Sequence, residues 1–156
     1  MDSTHLFSTE MHLPLPRDEV FEFFADAKNL ERITPPELRF SITKAPEAIA
    51  RGALIEYRLR LFGIPFGWRT EIAAWEPPTM FVDRQVKGPY RVWHHTHTFL
   101  DEPSLDGTPG TRILDVVTYA LPLWPFGEIA LPVVRGQVRR IFAYRERAIR
   151  EILLGA

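Results

Sequence analysis

Apolar and polar residues follow two regimes along this chain, a long middle stretch alternating with period two and flanking segments with helical spacing of three to four. His5 to Leu13 alternates loosely and runs into Pro14-Leu15-Pro16, which predicts a first strand stopped by proline. Pro16 suits the first position of a helix, where its missing N–H costs nothing, and Asp18 and Glu19 suit the positive end of the helix dipole. Val20, Phe21 and Phe24 mark the buried side of that helix. Lys28 to Ile33 predicts a second short helix, cut at Thr34-Pro35-Pro36 because a residue before proline avoids the α region.

Alternation takes over from Leu38. In LIEYRLRLF, Ile55, Tyr57, Leu59 and Leu61 share one face while Glu56, Arg58 and Arg60 share the other. After the turn Gly63-Ile64-Pro65, the next inward row is Phe66, Trp68, Thr70, Ile72 and Ala74, closed by Pro77-Pro78. Met80 to Lys87, Arg91 to Leu100 and Thr111 to Leu121 predict three further strands. In the first of them Arg84 shares a row with Val82 and Val86, so it either points inward as an anchor for a carboxylate or pairs with a neighbouring acid. The tail returns to helical spacing: Val134, Val138, Ile141, Arg145, Ala148 and Ile152 form one stripe, with Arg139, Arg140, Glu146, Arg147 and Arg150 opposite. Pro132 begins this long helix or kinks it one turn in. Arg145 could reach the cavity, but the commoner arrangement, and the one expected, lays its stem on apolar surface and sends its head to water.

The order predicts an α+β fold. A curved antiparallel sheet of six to seven strands wraps around the long C-terminal helix, with two short helices between the first and second strands, all in one domain over residues 1–156. One helix cannot fill the inside of so many wrapped strands, so an apolar cavity is expected, the usual form of a small-molecule site.

Composition narrows the function classes. With 156 residues, 46% of them apolar and 25% charged, the chain is long enough for one core and unlike disordered or membrane sequences. Its 19 basic and 20 acidic residues leave no positive field to gather nucleic acid. Lack of cysteine excludes disulfides, thiolate catalysis and cysteine-held metals. Apolar runs fall far short of the roughly 20 residues that cross a bilayer, and the start MDSTHLFSTE lacks a signal pattern, so no membrane insertion and a cytoplasmic location are expected.

The segment RVWHHTHTFL carries three of the five histidines. Alternation puts Trp93, His95, His97 and Phe99 on the row facing the interior and His94 outside. On the next strand Ile113, Asp115, Val117, Tyr119 and Leu121 share a face. A hairpin centred on Asp106 sets Phe99 opposite Ile113, His97 opposite Asp115, His95 opposite Val117 and Trp93 opposite Tyr119, with β-carbons of each pair roughly 5 Å apart. The expectation is a buried His97–Asp115 contact; a shift of two residues would give Asp115 to His95 instead.

The sequence NLERITPPELRF after the first helix, WHHTHTF on a late strand, TRILDVVTYALP on the next and RRIFAYRERA in the last helix resembles the START/Bet v1-like superfamily, and within it the bacterial ligand-binding and polyketide cyclase/dehydrase-like branch. The resemblance spans nearly the whole chain and implies a helix-grip fold. It leaves activity open, since this scaffold serves carriers, receptors, cyclases and co-chaperones alike.

Three readings of the cluster remain. The histidines satisfy a buried carboxylate and hold two strands in register. They anchor the polar end of a bound molecule, with Tyr57, Trp68, Arg84, Trp93, Phe99 and Tyr119 lining the same site. Or they act as general acid and base, with Asp115 setting the tautomer and Tyr119 polarising a carbonyl, as in a cyclase or dehydratase. Zinc is disfavoured, because an aspartate is the one third ligand visible beside His95 and His97, and no cofactor is expected. The expected partner is a small hydrophobic or aromatic molecule.

Overall fold

The computed structural model describes residues 3–155. β1 (His5–Leu13) leads through Pro16 into α1 (Arg17–Ala25), followed by α2 (Asn29–Arg32) and a single 3-10 turn at Pro36–Leu38. The strands β2 (Ser41–Lys44), β3 (Leu54–Leu61), β4 (Ile64–Glu76), β5 (Met80–Lys87), β6 (Val92–Asp101) and β7 (Thr111–Ala120) come next, and a 3-10 turn at Phe126–Ala130 runs into α3 (Leu131–Leu154). All pairings are antiparallel, in one seven-stranded sheet of order β1-β7-β6-β5-β4-β3-β2. Chain order and sheet order differ only where β1 joins β7, so the two short helices bridge one edge of the sheet to the other. This is the helix-grip architecture.

Curvature has a local cause. The β4–β5 ladder carries an extra residue on each strand, Val86 on β5 between the pairs Arg69–Lys87 and Thr70–Gln85, and Ala73 on β4 between Ile72–Asp83 and Ala74–Val82, and extra residues of this kind bend and twist a strand. The second one also reverses the phase. Ile72 lies opposite Asp83, but Ala74 lies opposite Val82 and Trp75 opposite Phe81, so the inward row runs Trp68, Thr70, Ile72 and then Trp75. Trp75 packs on Phe21 and Phe81, in the place that unbroken alternation would give to Ala74.

α3 lies across the concave face. Val134, Val138 and Phe142 pack with Val117, Tyr119 and Leu121, while Ala148 and Ile149 join Met11, Leu13, Phe99, Ile113 and the α1 residues Val20, Phe21 and Phe23. The predicted stripe is therefore the buried one, widened by Phe142 and Ile149, which lie one position along from Ile141 and Ala148. Pro132 sits in the first turn, and Gly155 at φ 70° ends the helix by donating its N–H to the Glu151 carbonyl. No helix among the described residues is long and apolar enough to cross a membrane.

Candidate functional site

Two core clusters leave space between them. The middle of the sheet, α1, α2 and α3 enclose a cavity of about 160 Å³, more than ten times the roughly 10–15 Å³ that one water needs. Its walls are mostly aliphatic and aromatic, and its polar groups converge at Asp83, His95, His97 and Arg145.

Strand pairing assembles this cluster. Phe99 lies opposite Ile113, His97 opposite Asp115, His95 opposite Val117 and Trp93 opposite Tyr119, the register expected from the hairpin. On the other flank Asp83 lies opposite His95 and Phe81 opposite His97. The shortest hydrogen bonds nevertheless run diagonally. His95 Nε2–H donates to Asp115 Oδ1 at 2.7 Å, and His97 Nε2–H donates to Asp83 Oδ2 at 2.6 Å. His97 Nδ1 stays 3.3 Å from Asp115 Oδ1, and His95 Nδ1 is 3.7 Å from Asp83 Oδ2. Each carboxylate thus bridges one edge of a stacked imidazole pair, whose ring centres are 3.6 Å apart, and Phe81 stacks on the far side of His97 at 3.9 Å.

Arg145 reaches this cluster from α3, against the expectation that its head would lie in water. Its side chain is buried, its guanidinium rests over the rings of Phe24 and Phe142 at 5.3 and 5.7 Å, and Nη2 is 3.4 Å from His97 Nδ1. The negative charge of two nearby carboxylates is what makes the buried position tolerable.

Protonation follows from burial and neighbours. Burial would raise both carboxyls, but the histidines and Arg145 outweigh it and hold Asp83 below, and Asp115 well below, the usual range. His95 is driven down to about 4 by burial and by the charge of His97, against the pull of the aspartates. Burial works against the His97 proton too, yet bonds to Asp115 and Asp83 prevail and raise it. The negative charge of the two aspartates is thus opposed by Arg145 and by His97, whose proton their bonds favour. That opposition of charge is what lets the group stay buried.

Tyr57, Trp68, Trp93, His95 and His97 border the cavity. Asp115 and Tyr119 form the layer behind it, Tyr119 in contact with Tyr90 and Trp93, and Phe99 packs into the aromatic core of Phe21, Phe24 and Phe81. Arg84 takes the second of its two expected places, pairing with an acid, and its place in the cavity lining is corrected. Its side chain is 52% exposed on the convex face and pairs with Glu71 at 2.7 Å, because the inward row of β5 is Phe81 and Asp83, not Val82, Arg84 and Val86. Asp83 is a member of the candidate site that pattern reading missed. The valines pointed to the wrong row, and the available signal was the alternation Phe81, Asp83 in phase with His97 and His95 across the ladder.

The seven-stranded curved sheet gripping a terminal helix places the chain in the START/Bet v1-like fold class, and solved structures agree. It is similar to the protein TTHA0849 from Thermus thermophilus (20% identity, 97% of this chain and 98% of that one, TM-score 0.71). It is similar also to a START superfamily protein from Mycobacterium smegmatis (12%, 97% and 98%, 0.72) and to the Zhui aromatase/cyclase from Streptomyces sp. R1128 (17%, 96% and 96%, 0.67). The profile of the family described as "Polyketide cyclase / dehydrase and lipid transport" matches residues 13–143, and the chain belongs to that family. No curated protein matches the sequence significantly.

Proposed function

We propose that the chain, as one domain over residues 1–156, binds a small hydrophobic or aromatic molecule in the cavity between the sheet and α3, with Asp83, His95 and His97 as the polar anchor. The observation that carries this reading is the combination of an apolar space of about 160 Å³ with charged groups gathered on one wall. Asp83, with a side chain 20% exposed, is the most open member of the aspartate–histidine cluster and the natural acceptor for a hydroxyl of the guest. Aromatic residues Tyr57, Trp68, Tyr90 and Trp93, in mutual ring contact, offer flat surfaces to a planar molecule. Native mass spectrometry of the purified protein, together with titration of a solvatochromic hydrophobic dye, tests the reading. A bound mass or a saturable one-to-one dye signal supports it; neither, in folded protein, defeats it.

A second reading, that of a polyketide cyclase or dehydratase, is favoured by the unequal histidines. A His97 whose proton the fold favours and a His95 whose proton it disfavours, stacked at the same wall, offer a general acid beside a general base. The fold likeness to an aromatase/cyclase and the family's description support it as well. In this version Asp115 orients His95 from behind, and Tyr119, which does not border the cavity, contributes packing. His97→Ala separates the two: a carrier retains binding with altered affinity, whereas an acid–base catalyst loses about two to four orders of magnitude in rate.

A further inference from the structure

We propose that Asp83, His95 and His97 form a binding site for one divalent transition-metal ion of the zinc type, with a coordination position left open toward the cavity. The inference goes beyond the binding of a hydrophobic guest and does not depend on it. One ligand atom from each of the three residues lies within 4.8 Å of the others. His95 and His97, two apart on β6, present both rings on one face, and Asp83 on β5 stands opposite His95. Two imidazoles, one carboxylate and an open position are the pattern of reactive rather than structural metal centres.

A second observation comes from tautomers. Asp115 Oδ1 accepts the 2.7 Å bond from His95 Nε2–H, which leaves Nδ1 as the ring nitrogen free to ligate. Nδ1 faces Asp83 Oδ2 across 3.7 Å in the cavity wall. A cation between them satisfies both. The same Asp115 oxygen lies 3.3 Å from His97 Nδ1, so one carboxylate turns the remaining nitrogen of both rings toward Asp83. A carboxylate behind each imidazole is the usual support of a metal-bound histidine.

Binding requires a modest rearrangement. Ligand atoms about 2.0–2.2 Å from a metal lie about 3–4 Å from one another, so the 2.6 Å His97–Asp83 contact must open and the two rings must splay. Asp83 has room on the cavity side. His97 Nε2 gives up the proton it donates to Asp83 as the metal enters, and the open position then takes water, hydroxide or an oxygen of a guest such as an enol, phenol or carboxylate.

The test uses tag-free protein stripped with chelator, titrated with Zn²⁺ by calorimetry and with Co²⁺ by visible d–d absorption. The expected result is one equivalent bound. His95→Gln and Asp83→Asn should each weaken binding at least tenfold, Asp115→Asn about 10- to 100-fold, and the outward-facing His94→Ala not at all. Absence of binding, or binding indifferent to Asp83→Asn or dependent on His94, overturns the proposal. Thermal melts confirm that each variant is folded, and if His95→Gln is not, Asp83→Asn, nearly the same shape and partly open to the cavity, carries the test. Dye titration of the stripped protein reports the hydrophobic site separately, so loss of one reading is told apart from loss of the other.

Discussion

Arg145→Met probes the buried charge balance directly. Arg145 contributes a fixed positive charge to a cluster in which Asp83 and Asp115 are held ionised, the proton of His97 is favoured and that of His95 disfavoured. Methionine keeps much of the stem's packing against Phe24 and Phe142 but leaves one uncompensated negative charge in the protein interior. Removing one partner of a buried ionic group costs about 3–5 kcal/mol. For a chain of this size each kcal/mol lowers Tm by about 2–4 °C, so a fall of about 6–20 °C at pH 7 is expected in a calorimetric or circular-dichroism melt of chelator-treated protein. The deficit should narrow below pH 6.5, because His95 takes up a proton in place of the lost guanidinium, and its ring resonances should titrate well above the value of about 4 that it has in the parent. Arg145→Met combined with Asp115→Asn leaves Asp83 against His97 and restores neutrality, so more than half of the lost stability should return. A Tm drop under about 2 °C for the single variant, or an additive loss in the double, would refute the charge-balance argument.

Acid unfolding should bear the same signature. His95, at about 4 in the fold against 6.5 as its ordinary value, contributes stability that is full above pH 6.5 and is lost as pH falls toward 4, at roughly 1.4 kcal/mol per unit and so roughly 3 kcal/mol across the window. His97, raised, acts in the opposite sense: its contribution is present below 6.5 and is lost as pH climbs through its folded value. Urea midpoints at pH 4.5, 6.5 and 9 should therefore be highest at the middle value, and a midpoint unchanged at pH 4.5 contradicts the assignment of a neutral His95. Leu59→Trp, on the cavity wall, should abolish dye binding while the melt moves by a few degrees at most, because the extra ring enters empty space rather than a filled core. Arg84→Ala should change stability by less than about 1 kcal/mol and leave dye affinity intact, as expected of an exposed ion pair with Glu71 on the convex face.

Much of the fold was legible because the signals are local. Alternation in LIEYRLRLF, the proline stops after Leu13 and Glu76, and the stripe from Val134 to Ile152 each depend on neighbours a few residues away, and each corresponds to an observed element. Even the β6–β7 register could be read, since one hairpin relates the two strands and centres on Asp106. The site was legible only in part. His95 and His97 stand on the predicted inward row, but Asp83 was hidden behind the valines of β5, and the irregularity between Ile72 and Ala74 that changes the phase of β4 leaves no mark in composition.

The sequence by itself determined which segments become strands and helices and which side of each is apolar, because side-chain direction repeats every two or 3.6 residues whatever lies across the way. Only the tertiary structure decided that His95, not the directly opposed His97, takes the short bond to Asp115, that His97 turns to Asp83, and that Arg145 enters from α3 to neutralise them. Those choices are settled by where charges from three strands and a helix meet in a medium with little water, and Coulomb energy there depends on distances that no single segment contains.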